Sequence, residues 1–158
     1  MNLILWRHAE AEDLPHALSL SRSADLQRPL TRRGRKQAEG MAAWLRAQLP
    51  PNTRVVCSPA TRARETAAAL SGHAETLPAL APGANARAVL AAVDWPNGAE
   101  HLVVVGHQPW IGHVASLLMT GTELGWSVRK SGVWWLNGRT RDSAEQVVLR
   151  AVIDPELL

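Results

Sequence analysis

Short apolar runs recur along the chain, and each stops on polar residues of a distinct kind. Leu3-Ile4-Leu5-Trp6 predicts a buried strand over residues 2–7, ending in Arg7-His8. Residues 9–30 are polar and carry Pro15, Pro29 and several serines, which predicts mainly loop, with one helical turn at 14–20. Thr31 is placed to cap a helix in which Ala38, Met41, Ala42 and Leu45 fall on one face to about Leu49, before Pro50-Pro51 stop it. Thr53–Cys57 predicts a second buried strand. Ser58-Pro59 follows as an N-cap and first helical position, for a helix running through Ala60–Leu70. Residues 73–83 read as loop and 84–93 as a short helix. His101–Gly106, with Val103-Val104-Val105, predicts a third strand; a helix at 110–119 and a turn at 121–125 follow. Ser131–Leu136 and Gln146–Ile153 predict two more strands joined by a polar loop, 137–145. Strand alternating with helix implies an α/β fold, a single three-layer α/β/α domain over residues 1–158 with a mostly parallel central sheet.

Composition narrows the class. The 158 residues are enough for one domain with a sizeable core, and 46% hydrophobic content argues against disorder. No apolar stretch approaches the roughly 18 residues of a membrane span, and residues 3–6 are too short for a signal peptide, so no membrane association is expected and the location expected is cytoplasmic. The single cysteine, Cys57, excludes an internal disulfide; it reads as buried and inert. The net charge of +3 is carried almost wholly by arginine, since Lys36 and Lys130 are the two lysines. With no long basic run and no Phe or Tyr for stacking, no nucleic-acid partner is expected. The seven tryptophans read mostly as core or hairpin residues; Trp110 is placed either at the mouth of a site or in the core, and Trp134-Trp135 point to opposite strand faces, which leaves one of them expected to be exposed.

Three strand ends carry chemistry: Arg7-His8, Ser58-Pro59 with Arg62 in the turn beyond, and Gly106-His107. In open α/β sheets the carboxyl ends of the strands line the ligand crevice, so two histidines and two arginines separated by up to 100 residues would meet there. A neutral imidazole is a nucleophile, whereas arginine only stabilises negative charge. Two guanidinium forks and a protonated second histidine suit a phosphoryl group, aided by the helix N-terminus after Ser58. Arginine charges beside His8 lower its pKa and keep it neutral. Each such charge-assisted contact is worth about 2.7–4 kcal/mol of transition-state stabilisation. Glu10, Glu12 and Asp13 form a solvated loop, a gate, or an acid; a divalent ion on His8, Glu10 and His107 is disfavoured by the neighbouring arginines.

Four segments resemble, in order, the motifs of the histidine phosphatase (phosphoglycerate-mutase-like) superfamily: Arg7-His8-Ala9-Glu10-Ala11; Leu30-Thr31-Arg32-Arg33-Gly34-Arg35-Lys36-Gln37-Ala38; Ser58-Pro59-Ala60-Thr61-Arg62-Ala63-Arg64-Glu65-Thr66-Ala67; and Val105-Gly106-His107-Gln108-Pro109. The resemblance implies that His8 is the nucleophile, passing through a phosphohistidine. It implies that Arg7 and Arg62 bind the phosphoryl oxygens and His107 stabilises the transferred group, with no metal or other cofactor. Short length and Leu77-Pro78-Ala79-Leu80-Ala81-Pro82 are similar to the SixA-type phosphohistidine phosphatases, which implies a phosphorylated protein, a phosphotransfer domain, as partner. The alternatives are a small phosphorylated metabolite as substrate, or a phosphoprotein-binding module without turnover.

Three positions depart from the pattern. Ala9 replaces a usual glycine and requires φ < 0; Glu65 replaces a usual glutamine; and Ala79 stands where an acidic proton donor is expected, with Glu75 nearby. General acid catalysis is worth typically about 10²–10⁴-fold for a poor leaving group. Its absence favours a labile donor such as phosphohistidine, unless Glu10, Glu12, Asp13 or Glu75 supplies the proton.

Overall fold

The computed structural model describes residues 1–158. Six strands form one sheet: β1 (Asn2–Arg7), β2 (Arg54–Cys57), β3 (Glu75–Thr76), β4 (His101–Gly106), β5 (Val133–Arg141) and β6 (Ala144–Ile153), in the order β3-β2-β4-β1-β5-β6. The pairings β2–β3, β2–β4 and β1–β4 are parallel, while β1–β5 and β5–β6 are antiparallel. The expected mostly parallel sheet is therefore present on one side, and the two final strands add an antiparallel flank. Five helices accompany it: α1 (Arg22–Leu26), α2 (Arg32–Gln48), α3 (Thr61–Leu70), α4 (Ala86–Ala92) and α5 (Trp110–Thr120).

Alternation along β1 divides the core. Ile4 and Trp6 pack with Ala38, Met41, Ala42 and Leu45 of α2 and Ala63 and Ala67 of α3; Leu3 and Leu5 pack with Val89 of α4 and Ile111, Val114 and Ala115 of α5. Helices thus cover both faces, giving the three layers. The α2 stripe forms as its spacing requires, and Thr31 Oγ1 caps it by accepting from the Gly34 amide at 2.9 Å. Burying Met41 or Leu45 in this way stabilises by about 1.5–3 kcal/mol each. Gly106 ends β4 because the Trp110 ring lies across it; a Cβ there would stand 1.9 Å from that ring. Trp110 is fully buried, so of its two expected placements the core is the actual one.

Local readings fail at five places. Ser58 does not cap α3: the cap is Ala60 and the helix begins at Thr61, while the Ser58 hydroxyl accepts from the Ala60 amide at 3.2 Å and lies 2.6 Å from His107 Nε2. The expected loop 137–145 is a tight hairpin, with β5 and β6 meeting at Asp142-Ser143, both at positive φ (51° and 63°). Residues 9–30 contain α1, capped by Ser21, and residues 73–83 contain the short strand β3 and a 3-10 turn at 78–80. Polar exposed segments such as these carry no apolar periodicity from which to read an element. Neither Trp134 nor Trp135 is exposed: Trp135 is buried on one face, and Trp134 lies on the other with its ring centroid 5.5 Å from that of Trp126.

Candidate active site

The sheet order places β2, β4 and β1 side by side, so their carboxyl ends are contiguous. Arg7 is opposite Gly106 and Cys57 is opposite Val105. The chain leaves each strand at the same level: the His8 amide donates to Gly106 O, and the Ser58 amide to Val105 O. This register brings the His8 and His107 rings to 5.1 Å between centroids. Arg62 enters from the first turn of α3, and its Nε donates to His8 Nε2 at 3.3 Å. All four residues that the sequence singles out line one cavity of about 210 Å³, with Ala11, Asp13, Arg28, Pro82, Gln108 and Lys130.

The hydrogen bonds fix how His8 presents itself. Its Nδ1 lies 2.7 Å from Ala9 O, and a carbonyl only accepts, so Nδ1 carries the proton. Nε2 is left unprotonated, with its lone pair accepting from Arg62 Nε. Burial pushes the His8 pKa down to about 3, partly offset by the Ala9 carbonyl and reinforced by Arg62, Arg7 and Arg28. The lowering of the His8 pKa expected from the sequence is present, but desolvation outweighs the arginines as its cause. Ala9 is buried with negative φ, as the added methyl requires, and its amide donates to Thr66 Oγ1 at 3.0 Å.

His107 differs from expectation. Its Nε2 lies 2.6 Å from Ser58 Oγ, and Nδ1 is buried without a hydrogen-bond partner. Burial, then the charges of His8 and Arg62, lower its pKa to about 2, so it is neutral in the empty cavity rather than protonated. An incoming phosphoryl dianion acts in the opposite direction and favours the imidazolium.

The arginines are held by carbonyls and one carboxylate. Arg7 Nη1 donates to Val128 O at 2.7 Å, and its buried Nε has no partner. Arg62 Nη1 donates to Asp25 O at 2.8 Å, and Nη2 pairs with Asp25 Oδ2 at 3.2 Å. Arg28 Nε pairs with Asp25 Oδ1 at 3.0 Å. The partnerless Arg7 Nε beside an unprotonated imidazole nitrogen forms a setting that an oxyanion completes.

The candidate acids separate. Asp13 lines the cavity. Glu10 is turned away, accepting from Thr31 Oγ1 at 2.8 Å and pairing with Arg33 at 3.3 Å. Glu12 is not among the lining residues and reaches the network through its backbone oxygen, which accepts from Arg28. Glu75 is corrected outright: it makes a two-pronged pair with Arg54 at 2.9 Å on the exposed β2–β3 edge, outside the cavity. Glu65 accepts from the Leu30 amide at 2.7 Å, so it braces the segment ahead of α2.

Sequence reasoning missed Asp25, Arg28 and Lys130. Asp25 and Arg28 had a local signal, an acid and a base three residues apart after the capping Ser21. Lys130 had none, because its place depends on where residues 121–132 fold back.

Residues 3–83, just over half of the chain, match the histidine phosphatase superfamily (branch 1). The chain belongs to this superfamily. Among relatives, the phosphohistidine phosphatase SixA of Escherichia coli is 30% identical over 129 residues, covering 77% of this chain and 76% of that one. The uncharacterized protein Rv1276c of Mycobacterium tuberculosis is 39% identical over 107 residues, covering 63% of this chain; the match spans 66% of that relative's length, just under two thirds. Among solved structures, the protein histidine phosphatase SixA complexed with tungstate superposes with a TM-score of 0.74 at 25% identity, covering 99% of each chain. No helix of this superfamily member is long and apolar enough to cross a membrane.

Proposed function

We propose that the protein is a cytoplasmic phosphatase that acts through His8 on a protein phosphohistidine, with residues 1–158 working as one domain. The observation that carries this reading is the His8 imidazole, whose Nδ1–H bond to Ala9 O leaves Nε2 unprotonated and facing Arg62, inside a cavity lined by Arg7, Arg28, Arg62 and Lys130. In the first step the Nε2 lone pair attacks phosphorus, the substrate's P–N bond breaks, and the leaving imidazole takes a proton. Arg7 and Arg62 hold the equatorial oxygens, and His107 faces the transferred group. In the second step water attacks the phosphohistidine, the N–P bond breaks, phosphate leaves, and His8 is restored. Phosphohistidine suits this site because its leaving group needs little help, and Ala79 supplies none. The kinship with SixA of Escherichia coli supports this choice of substrate.

Asp13 favours a second reading, hydrolysis of a small phosphomonoester, because it is the candidate acid that lines the cavity. One assay separates the two. The purified protein and its His8→Ala variant are given a phosphohistidine-bearing phosphotransfer domain and a panel of small phosphomonoesters. Release from phosphohistidine, abolished in the variant, is the expected result. Preference for an ester, lost in Asp13→Asn, moves the function to small metabolites. Phosphate binding without turnover of either makes the protein a binding module.

A further inference from the structure

A second cleft adjoins the His8 cavity. It is lined by Glu10, Arg33, Gln37, Arg129, Asp154, Pro155 and Glu156, has a volume of about 200 Å³, and shares one wall with the cavity, Lys130. No hydrophobic side chain lines it. Its carboxylates are all engaged: Glu10 with Thr31 and Arg33, Asp154 with Arg129 at 3.8 Å, and Glu156 with Arg129 at 2.6 Å. Two donors remain. Gln37 accepts from the Glu10 amide through Oε1, and its Nε2 makes no hydrogen bond within the chain. The Lys130 ammonium has neither an ion pair nor a hydrogen bond, whereas Arg7, Arg28 and Arg62 in the same cavity are each tied to oxygens. The cleft therefore presents two free donors, Gln37 Nε2 and the Lys130 ammonium, and Lys130 is its one cation without a carboxylate partner, in a lining whose three carboxylates equal its three cations in number.

The backbone next to Lys130 is held firmly. The next residue, Ser131, sits at φ 57°, its amide donates to His8 O at 3.1 Å, and its carbonyl and hydroxyl accept from Trp6 Nε1. Gly132 O accepts from the Arg7 amide at 3.0 Å. The backbone beside Lys130 is thus bonded directly to the residues that carry the proposed nucleophile and phosphate clamp.

We infer that Lys130 is a specificity-determining residue: it reads a carboxylate flanking the phosphoryl group, and the Gln37–Lys130 cleft receives the acidic residue next to a substrate's phosphohistidine. The inference rests on the proposed phosphatase reading and names the surroundings that its substrate must have. Three phosphohistidine peptides test it, alike except for Asp, Asn or Lys beside the phosphohistidine, with kcat and KM measured for each. The wild type is expected to favour the Asp peptide over the Asn peptide about fivefold in KM, the upper range for a partly exposed ion pair. Lys130→Ala brings that ratio to about one, Lys130→Glu inverts it toward the Lys peptide, and Lys130→Arg retains it. A wild type indifferent to the flanking charge, or a preference unchanged in Lys130→Ala, overturns the inference while leaving the phosphatase reading intact. Equal losses on all three peptides also overturn it, because they assign Lys130 to the transferred phosphoryl group. If the wild type hydrolyses none of the peptides, the phosphatase reading fails and the inference falls with it.

Discussion

At the scale of single residues, the governing fact is that two histidines are buried uncharged. The folded-state pKa values of His8 and His107 lie at about 3 and about 2, against roughly 6.5 for an unfolded histidine. Between these values the unfolded chain binds more protons than the folded one. The stabilising contribution is therefore complete above about pH 6.5 and is lost as pH falls toward the folded values, by up to about 1.4 kcal/mol per pH unit for each histidine. Urea unfolding at pH 7, 6 and 5 should show stability falling across that series. A His8→Asn, His107→Asn double variant should show a flatter dependence; equal slopes would assign the loss to other groups. The same burial keeps His8 unprotonated in the empty cavity, as the proposed nucleophile requires.

At the scale of elements, α2 acts as a buttress for the loop that follows His8. Gly34 lies so close to that loop that a Cβ would stand 1.9 Å from the Glu10 carbonyl, which itself accepts from the Thr31 amide at 3.0 Å. Backbone cannot rotate aside as a flexible side chain can. Gly34→Ala should therefore destabilise by about 1–3 kcal/mol despite the better helix propensity of alanine, and should lower kcat/KM by displacing the loop beside His8. Gly40 lies in the same helix, and its Cβ would meet only the tip of Leu158 at 3.5 Å. Gly40→Ala should stabilise by up to about 1 kcal/mol with activity unchanged. Opposite signs in denaturant midpoints from one helix check that the contact with Glu10, rather than helix propensity, sets the first result.

At the scale of the whole molecule, charge is concentrated where the sheet opens. The net charge of the chain is only +3, yet Arg7, Arg28, Arg62 and Lys130 face one cavity with Asp13 as the lining carboxylate. A concave site lined by one sign of charge attracts anions, and salt screens that attraction over about 10 Å at 0.1 M and about 3 Å at 1 M. Raising the salt from 0.02 to 0.5 M should increase KM for a phosphorylated substrate by about three- to tenfold, with kcat changing much less. Insensitivity of KM to salt would show that contacts at short range dominate recognition.

Much of this was open to reading in the sequence. The strands 2–7 and 101–106 and the stripe on α2 follow from local periodicity, since burial imposes its spacing on neighbouring residues. Arg7, His8, Arg62 and His107 could be named because each sits at a strand end or in the helical turn beyond one, the position from which α/β folds present chemistry. What the sequence left open depended on distance across the fold. Ser58 has the local form of a helix cap, but its hydroxyl also meets His107 from the neighbouring strand end, a contact no local pattern shows. Glu75 and Asp13 look alike as candidate acids until strand order sends one to the sheet's outer edge and the other to the cavity. Lys130 is one of two lysines with no motif around it, and it becomes part of the site only because Ser131 and Gly132 bond to the His8 and Arg7 backbone. Local patterning fixes which residues are buried and in what element; which of them meet is decided by strand register and by backbone hydrogen bonds between segments more than 100 residues apart.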